Sequence, residues 1–201
     1  LARGQANADA GSLVDALLYF RQAMRVAPAA SEPRLRLGEV LWRLDRKRDA
    51  LQVWREAAVI APQAPGIQEA LAEGLLAIGD YVGARTAADA VLSARSPAPK
   101  ASLAAAIADF GQSAKSADPL EPGQPAAVVV DLLQREPTLW RENSLMTSLA
   151  SALDSAADLA TDPGIRFTLA RLAGAQDVAA DLPSPLLATL IEAVQDAPAT
   201  V

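Results

Sequence analysis

The hydrophobic positions between residues 31 and 62 form two successive helical patterns. Apolar residues recur every three or four positions in the first pattern, at Leu35, Leu37, Val40, Leu41 and Leu44, and again in the second, at Ala50, Leu51, Trp54, Ala57, Ala58 and Val59. This spacing places the apolar residues on one face of each helix. The polar run at 45–49 separates the two patterns and predicts a turn. The stretch therefore predicts two amphipathic helices packed against each other.

The ends of these helices and their small residues carry further information. Ser31 is a candidate cap for the first helix, and Pro33 fits its first turn, where a missing N–H is not needed. Pro62 ends the second helix because proline cannot continue one. Gly38 and Ala50 have little or no side chain. We expect the two helices to approach closely at these positions.

The stretch resembles the tetratricopeptide repeat (TPR) family, on the residues Leu37-Gly38, Leu41, Ala50, Trp54, Ala57 and Pro62. A shift of 34 residues in either direction gives further matches. They are Ala16, Phe20, Ala23 and Pro28 before the stretch, and Leu71-Ala72, Leu75, Ala84, Ala88 and Val91 after it. The resemblance predicts an all-α, right-handed solenoid of helical hairpins over residues 1–97, with a partial repeat at 1–28 and complete repeats at 31–62 and 65–97.

The rest of the chain is predicted to be helical without this repeat. Residues 98–116 are expected to form a helix that caps the array, and the segment 117–125, with three prolines and a glycine, a linker. The region 126–201 is expected to contain helices at 126–135, at 138–160, from Asp162-Pro163 and from Ser184-Pro185. For 126–135 the valines at 128–130 also suit a strand, but a helix is favoured because nothing nearby could pair with a lone strand. It either continues the solenoid or forms a separate bundle. Near the start of the chain, Ser12 and Asp15 suggest a capping box.

Composition argues against several functions. The formal net charge is −6, with 12 Lys and Arg against 11 Asp and Glu up to residue 99 and 6 against 13 beyond it, so we expect no nucleic-acid partner. The chain contains no His and no Cys, which removes the commonest general base, thiol nucleophile and metal ligands. We therefore predict no enzymatic activity, no cofactor and no metal site. No apolar run is long enough to span a bilayer.

The resemblance implies that the chain binds a protein or peptide in a groove lined by the first helices of successive repeats. The residues expected to face this groove are Leu35, Arg36, Glu39, Trp42, Arg43, Glu69, Glu73 and Leu76. Chaperone-binding members of the family hold a terminal carboxylate with Lys and Asn, but Leu35 and Glu39 occupy those positions here, so no such clamp is expected. Trp42 either contacts the partner or packs against the next repeat, whereas Trp54 is expected to pack in the core.

Three interpretations of function follow. The first is a non-enzymatic adaptor, the second a regulatory or substrate-recruiting fragment of a larger enzyme such as a bacterial glycosyltransferase, and the third a protein that self-assembles through its repeat ends into a homo-oligomer. The residue usage is typical of a GC-rich bacterial genome and fits cytoplasm or periplasm equally. Since residue 1 falls within a repeat, an upstream signal or anchor is compatible with the sequence.

Overall fold

The computed structural model describes residues 1–94, 97–115, 123–156 and 162–195. Within these ranges the chain forms eleven α-helices and two short 3-10 helices, and no strand. The α-helices are α1 (Ala2–Asp9), α2 (Leu13–Val26), α3 (Glu32–Arg43), α4 (Lys47–Ile60), α5 (Pro65–Ala77), α6 (Tyr81–Ala94), α7 (Pro99–Lys115), α8 (Gly123–Arg135), α9 (Asn143–Ser155), α10 (Asp162–Ala175) and α11 (Ser184–Gln195). The 3-10 helices are Pro137–Arg141 and Ala179–Asp181. The predicted all-α class is confirmed.

The turns inside the first three hairpins repeat the same backbone geometry. Gly11, Asp45 and Gly79 occupy equivalent positions and all have a left-handed backbone, with φ of 81°, 57° and 74°. The residue after each of them donates its backbone N–H to a carbonyl in the last turn of the preceding helix, as in a helix C-terminal motif. These bonds are Ser12 to Asn7 at 2.8 Å, Arg46 to Leu41 at 2.9 Å and Asp80 to Leu75 at 2.9 Å. The 34-residue period in the sequence is thus also a period in the backbone.

Within each hairpin, the volume of one residue on the first helix is complementary to the volume of the residue that it faces on the second. A Cβ atom added at Gly4 would lie 2.8 Å from the Phe20 ring, and one added at Gly38 would overlap the Trp54 indole. In the third hairpin the equivalent positions hold Ala72 and Ala88, which are both buried. Close packing of helices depends on this compensation of volume. The expected close approach at Gly38 is confirmed, with Trp54 as its neighbour.

Two predicted features of the local sequence are wrong. Ser31 and Ser12 occupy the N-cap positions of α3 and α2, but neither makes a side-chain capping hydrogen bond. The single helix predicted for residues 138–160 is also wrong, because a 3-10 helix at Pro137–Arg141 precedes α9; its last part, 157–160, lies outside the described residues. Trp140 in this segment is fully buried, and its Nε1 donates a 2.7 Å hydrogen bond to Oε1 of Gln176. The 3-10 helix that carries Trp140 contacts α7, α8 and α9, and the Trp140 hydrogen bond reaches Gln176, the residue after α10, so the chain leaves the α-helical path before Asn143.

The later helices pack on the repeat array. The segment 98–116 corresponds to α7, which contacts α5 and α6 and also α8 and α9. Most of the predicted linker, 117–125, lies outside the described residues, and its last three residues belong to α8. Helix α9 contacts α5, α7 and α11. One contiguous cluster of buried side chains extends from Ala8 to Leu190, so the described helices share a core.

Candidate functional site

A cleft of about 770 Å³ lies between α3, α5, α7 and α9. We call it the central cleft. It is lined by Leu35, Arg36, Glu39, Trp42 and Arg43 of α3, Lys47 and Trp54 of α4, Gly66, Glu69, Ala70, Glu73, Gly74 and Ala77 of α5, Lys100 of α7, and Asn143, Ser144 and Thr147 of α9. The first helices of two successive hairpins thus form one side, and helices from later in the chain form the other.

Two tryptophans form the apolar part of the central cleft. Trp54 is buried, and its Nε1 donates a 3.1 Å hydrogen bond to the Leu35 carbonyl, which satisfies its only polar atom. The Trp42 ring is partly buried and packs on Trp54, with the ring centroids 5.6 Å apart and the planes tilted by 31°. Trp42 therefore both packs against its neighbour and lines the cleft. The ring is held in place before any ligand arrives.

Seven of the eight residues predicted from the sequence to face the groove line the central cleft. The exception is Leu76, which is only 1% exposed and does not line it. Leu76 follows Trp42 by one repeat, and the equivalence suggested a similar role. Leu76, however, belongs to the buried core, whereas the Trp42 ring is only partly buried and remains accessible from the cleft.

Arg36 is shared by two carboxylates of its own helix. Its Nε lies 2.8 Å from Glu32, and its Nη1 lies 3.1 Å from both oxygens of Glu39. Burial alone would lower the pKa of Arg36, but the hydrogen bond and charge of Glu39, with those of Glu32, outweigh it and raise the pKa above its ordinary value. The guanidinium is therefore permanently charged and already engaged.

Lys100 joins three helices across the central cleft. Its Nζ lies 2.8 Å from Glu73 on α5 and 3.0 Å from Glu142 at the start of α9. Burial alone would lower the pKa of the Lys100 ammonium, but the hydrogen bond and charge of Glu73, followed by those of Glu142, raise the pKa above its ordinary value. Lys100 is therefore a structural cation at neutral pH.

The group of charged side chains around Lys100 also includes the hydroxyl of Ser144. Ser144 donates a hydrogen bond to the second carboxylate oxygen of Glu73, so a serine, a glutamate and a lysine lie together. A lysine acts as the base for a serine nucleophile only when it can lose its proton near neutral pH. The raised pKa of Lys100 opposes that role. The arrangement therefore links α5, α7 and α9.

Arg43 links the cleft to the first hairpin. Its Nη1 donates a 2.8 Å hydrogen bond to the backbone carbonyl of Ala8, near the end of α1. Carbonyl groups at a helix C-terminus lack partners in their own helix and attract cations. Although its side chain is exposed, Arg43 also helps to hold α1 against α3.

The architecture matches solved helical-repeat structures. A tetratricopeptide repeat protein from Parabacteroides merdae superposes with a TM-score of 0.61 at 13% sequence identity, covering 98% of this chain and 77% of that chain. The crystal structure of MamA protein gives a TM-score of 0.58 at 11% identity, covering 98% and 93%. The TPR domain of P58(IPK) gives 0.55 at 18% identity, covering 98% of this chain and 60% of that domain.

This chain has the tetratricopeptide-repeat fold. No protein-family model and no curated protein matches its sequence. At these low sequence identities, the similarity to TPR structures shows the fold alone. The properties of the central cleft follow from this chain's own residues.

The sequence did not reveal the second wall of the cleft in this TPR chain. Lys100, Asn143, Ser144 and Thr147 come from helices outside the three recognised repeats. Their own sequence neighbourhoods contain no recognisable motif. Only the packing of α9 on α5 and α7 brings them to the cleft.

Two kinds of feature are absent from residues 1–94, 97–115, 123–156 and 162–195. No helix there is both long and apolar enough to cross a membrane. In the same residues, no group of three or more acidic side chains is placed to hold a metal ion.

Proposed function

We propose that this chain is a protein-interaction scaffold that holds a short segment of a partner protein in the central cleft. The observation that carries the proposal is the position of Trp42, which is fixed on Trp54 and accessible from the cleft. Large, rigid aromatic side chains in partly enclosed pockets contribute most of the binding energy at many interfaces. The TPR fold supports the same role.

The size of the central cleft indicates how much of a partner it takes. Its volume of about 770 Å³ lies in the range typical of ligand pockets, roughly 300–1,000 Å³. A helix about 10 Å across that rises about 1.5 Å per residue fills roughly 120 Å³ per residue. The cleft therefore accommodates roughly six residues by this measure. We infer that a short segment inserts and that the rest of the partner lies outside.

A selection from a phage library of random twelve-residue peptides on the immobilised full chain tests this proposal. Two variants fill the cleft from opposite walls: Ala70→Phe on α5 and Thr147→Trp on α9. Val82→Phe is the matched control, because Val82 is 61% exposed on α6 and does not line the cleft. Circular dichroism and thermal melting establish that each variant is folded.

We expect the selected peptides to bind the wild type and the Val82→Phe variant with equal affinity. Their affinity for any folded cleft-filling variant should be at least about tenfold lower, which corresponds to about 1.4 kcal/mol. The use of two opposite walls protects the test against misfolding of one variant. Peptides that bind both folded cleft-filling variants as well as wild type, or a selection that enriches no peptide, would refute the proposal.

A further inference from the structure

Two of the cations that line the central cleft are each outnumbered by the carboxylates that they contact. Arg36 is shared between Glu32 and Glu39, and Lys100 between Glu73 and Glu142, so each of these cations faces two carboxylates. Each of the two clusters retains one excess negative charge.

Glu69 adds a third. It is partly buried and lines the cleft, on the same helix as Glu73. It makes no ion pair or side-chain hydrogen bond in the part of the chain that the structure describes. A partly buried carboxylate without a partner is poorly solvated, and a cationic ligand would compensate for this.

Two further cations lie at one end of the cleft. Arg43 donates a hydrogen bond to the Ala8 carbonyl, and Nζ of the exposed Lys47 lies 3.6 Å from Oδ1 of Asp45. A Cβ at Gly66 would contact Leu35 and one at Gly74 would lie 3.5 Å from Trp42, so α3 and α5 run along the cleft in the same direction. The positive charges of Arg43 and Lys47 are therefore at the C-terminal end of α3, and Glu69 lies nearer its N-terminal half. The lining residues themselves comprise four cations and three carboxylates, and the sum becomes negative when Glu32, Glu142 and Asp45, which pair with these cations from outside the lining, are included.

The Trp42 ring also suits a cation. The Lys47 ammonium lies 5.8 Å from the centroid of this ring, within the distance at which an ammonium is attracted to an aromatic face. Lys47 is about half exposed, with 48% of its side chain accessible, so it can be displaced by a ligand at little cost. The apolar ring and the unpaired Glu69 carboxylate both line the cleft.

We propose that the segment bound in the central cleft is basic, with one arginine or lysine side chain that pairs with Glu69 and a second that lies against Trp42. Arginine fits both places best, because its planar guanidinium can contact a carboxylate with two hydrogen bonds or stack on an aromatic ring. The inference rests on the proposed function, since it specifies the chemistry of the partner at the same cleft. An acidic segment would instead encounter the excess carboxylates.

The peptide selection described above also tests this inference. Peptides that require an open cleft are sequenced, and their Arg and Lys content is compared with that of the unselected library. A synthetic peptide of the most enriched sequence is then titrated against the full chain and its Glu69→Gln and Lys47→Gln variants. Glu192→Gln is the matched control, because Glu192 is exposed on α11 and does not line the cleft.

We expect Arg and Lys to be enriched and Glu69→Gln to weaken binding about fivefold to tenfold, as for the loss of a charge-assisted hydrogen bond at a partly solvated site. Lys47→Gln should tighten binding about twofold because it removes a competing cation. Glu192→Gln should leave binding unchanged. Affinity should also fall as salt is added.

The outcomes separate the two proposals. If the selected peptides need the open cleft but are neutral or acidic, or bind Glu69→Gln as well as or better than wild type, the basic-segment inference is wrong and the scaffold proposal stands. If no selected peptide depends on the cleft, both are wrong. Thermal melting of each variant establishes that a loss of binding is not a loss of folding.

Discussion

Gly38 and the indole of Trp54 are in direct contact across the α3–α4 hairpin. A Cβ atom on residue 38 would overlap the ring at Nε1, the atom that donates to the Leu35 carbonyl. The contact fixes Trp54, and Trp54 in turn supports the Trp42 ring, 5.6 Å away between centroids. The absence of a side chain at Gly38 is thus part of what positions the wall of the central cleft.

The Gly38–Trp54 contact predicts that the effect of Gly38→Ala on stability changes sign when Trp54 is replaced. In the wild-type background, Gly38→Ala should destabilise the chain by about 1–3 kcal/mol, because the added methyl group overpacks a closed core. In a Trp54→Leu background the same change should be neutral or stabilising by up to about 1 kcal/mol, since alanine favours the helix more than glycine does. Urea unfolding followed by circular dichroism measures both values. Equal destabilisation in the two backgrounds would rule out the contact as the cause.

The shared geometry of the hairpin turns predicts opposite effects at Gly11 and Asp45. Both have positive φ, and a Cβ at Gly11 would meet no atom within 4 Å, so Gly11→Ala isolates the cost of the left-handed backbone. We expect a loss of about 1–2 kcal/mol. Asp45→Gly should be stabilising by about 0.5–1 kcal/mol because it relieves the same cost.

The main interaction lost with Asp45 is its exposed ion pair with Lys47, which contributes little. The denaturant midpoints of the wild type and of the Gly11→Ala and Asp45→Gly variants measure both changes in stability. A loss of stability in Asp45→Gly comparable to that in Gly11→Ala would show that the aspartate side chain, not the backbone, determines this turn.

The Lys100 cluster predicts a loss of stability at high pH. The pKa of Lys100 is raised in the folded state, so its contribution to stability is fully present below its unfolded pKa of about 10.4 and is lost as the pH rises through the folded value. Lys100→Met should therefore be destabilising at pH 7–9, by about 1 kcal/mol or less because the side chain is 36% exposed and screened by solvent.

The difference between the wild type and Lys100→Met should shrink above pH 11. Urea unfolding at pH 8 and at pH 11.5 gives the comparison, and Lys47→Met serves as the control for loss of an exposed lysine, with an effect within about 0.5 kcal/mol. A difference that stays constant or grows with pH would indicate that the aliphatic stem of Lys100, and not its charge, carries its contribution.

The repeat half could be predicted from the sequence because its information is local. The apolar spacing and the small residues define α3 and α4 within a few positions, and the same interval recurs at Phe20 and Ala88. The resemblance also identified one wall of the central cleft. The prediction for Leu76 is wrong because equivalent repeat positions are not equally exposed: Leu76 is buried, whereas Trp42 is only partly buried.

The second half was less predictable for physical reasons. Leu139 and Met146 fit one helical face, so periodicity joined two elements that are in fact separate. The break depends on the burial of Trp140 and its bond to Gln176, a contact between distant parts of the chain. The same reason applies to Lys100 and Ser144, whose place in the cleft depends on long-range packing.

The contact between α9 and α5 also constrains how this architecture can change over evolutionary time. Solenoids usually gain or lose whole repeats with little penalty, because each unit touches only its immediate neighbours. Here, duplication of a hairpin between α5 and α9 would carry Ser144 away from Glu73 and separate the two walls. The repeat count between these helices is therefore fixed for as long as the cleft is retained, while units added ahead of α1 would leave it intact.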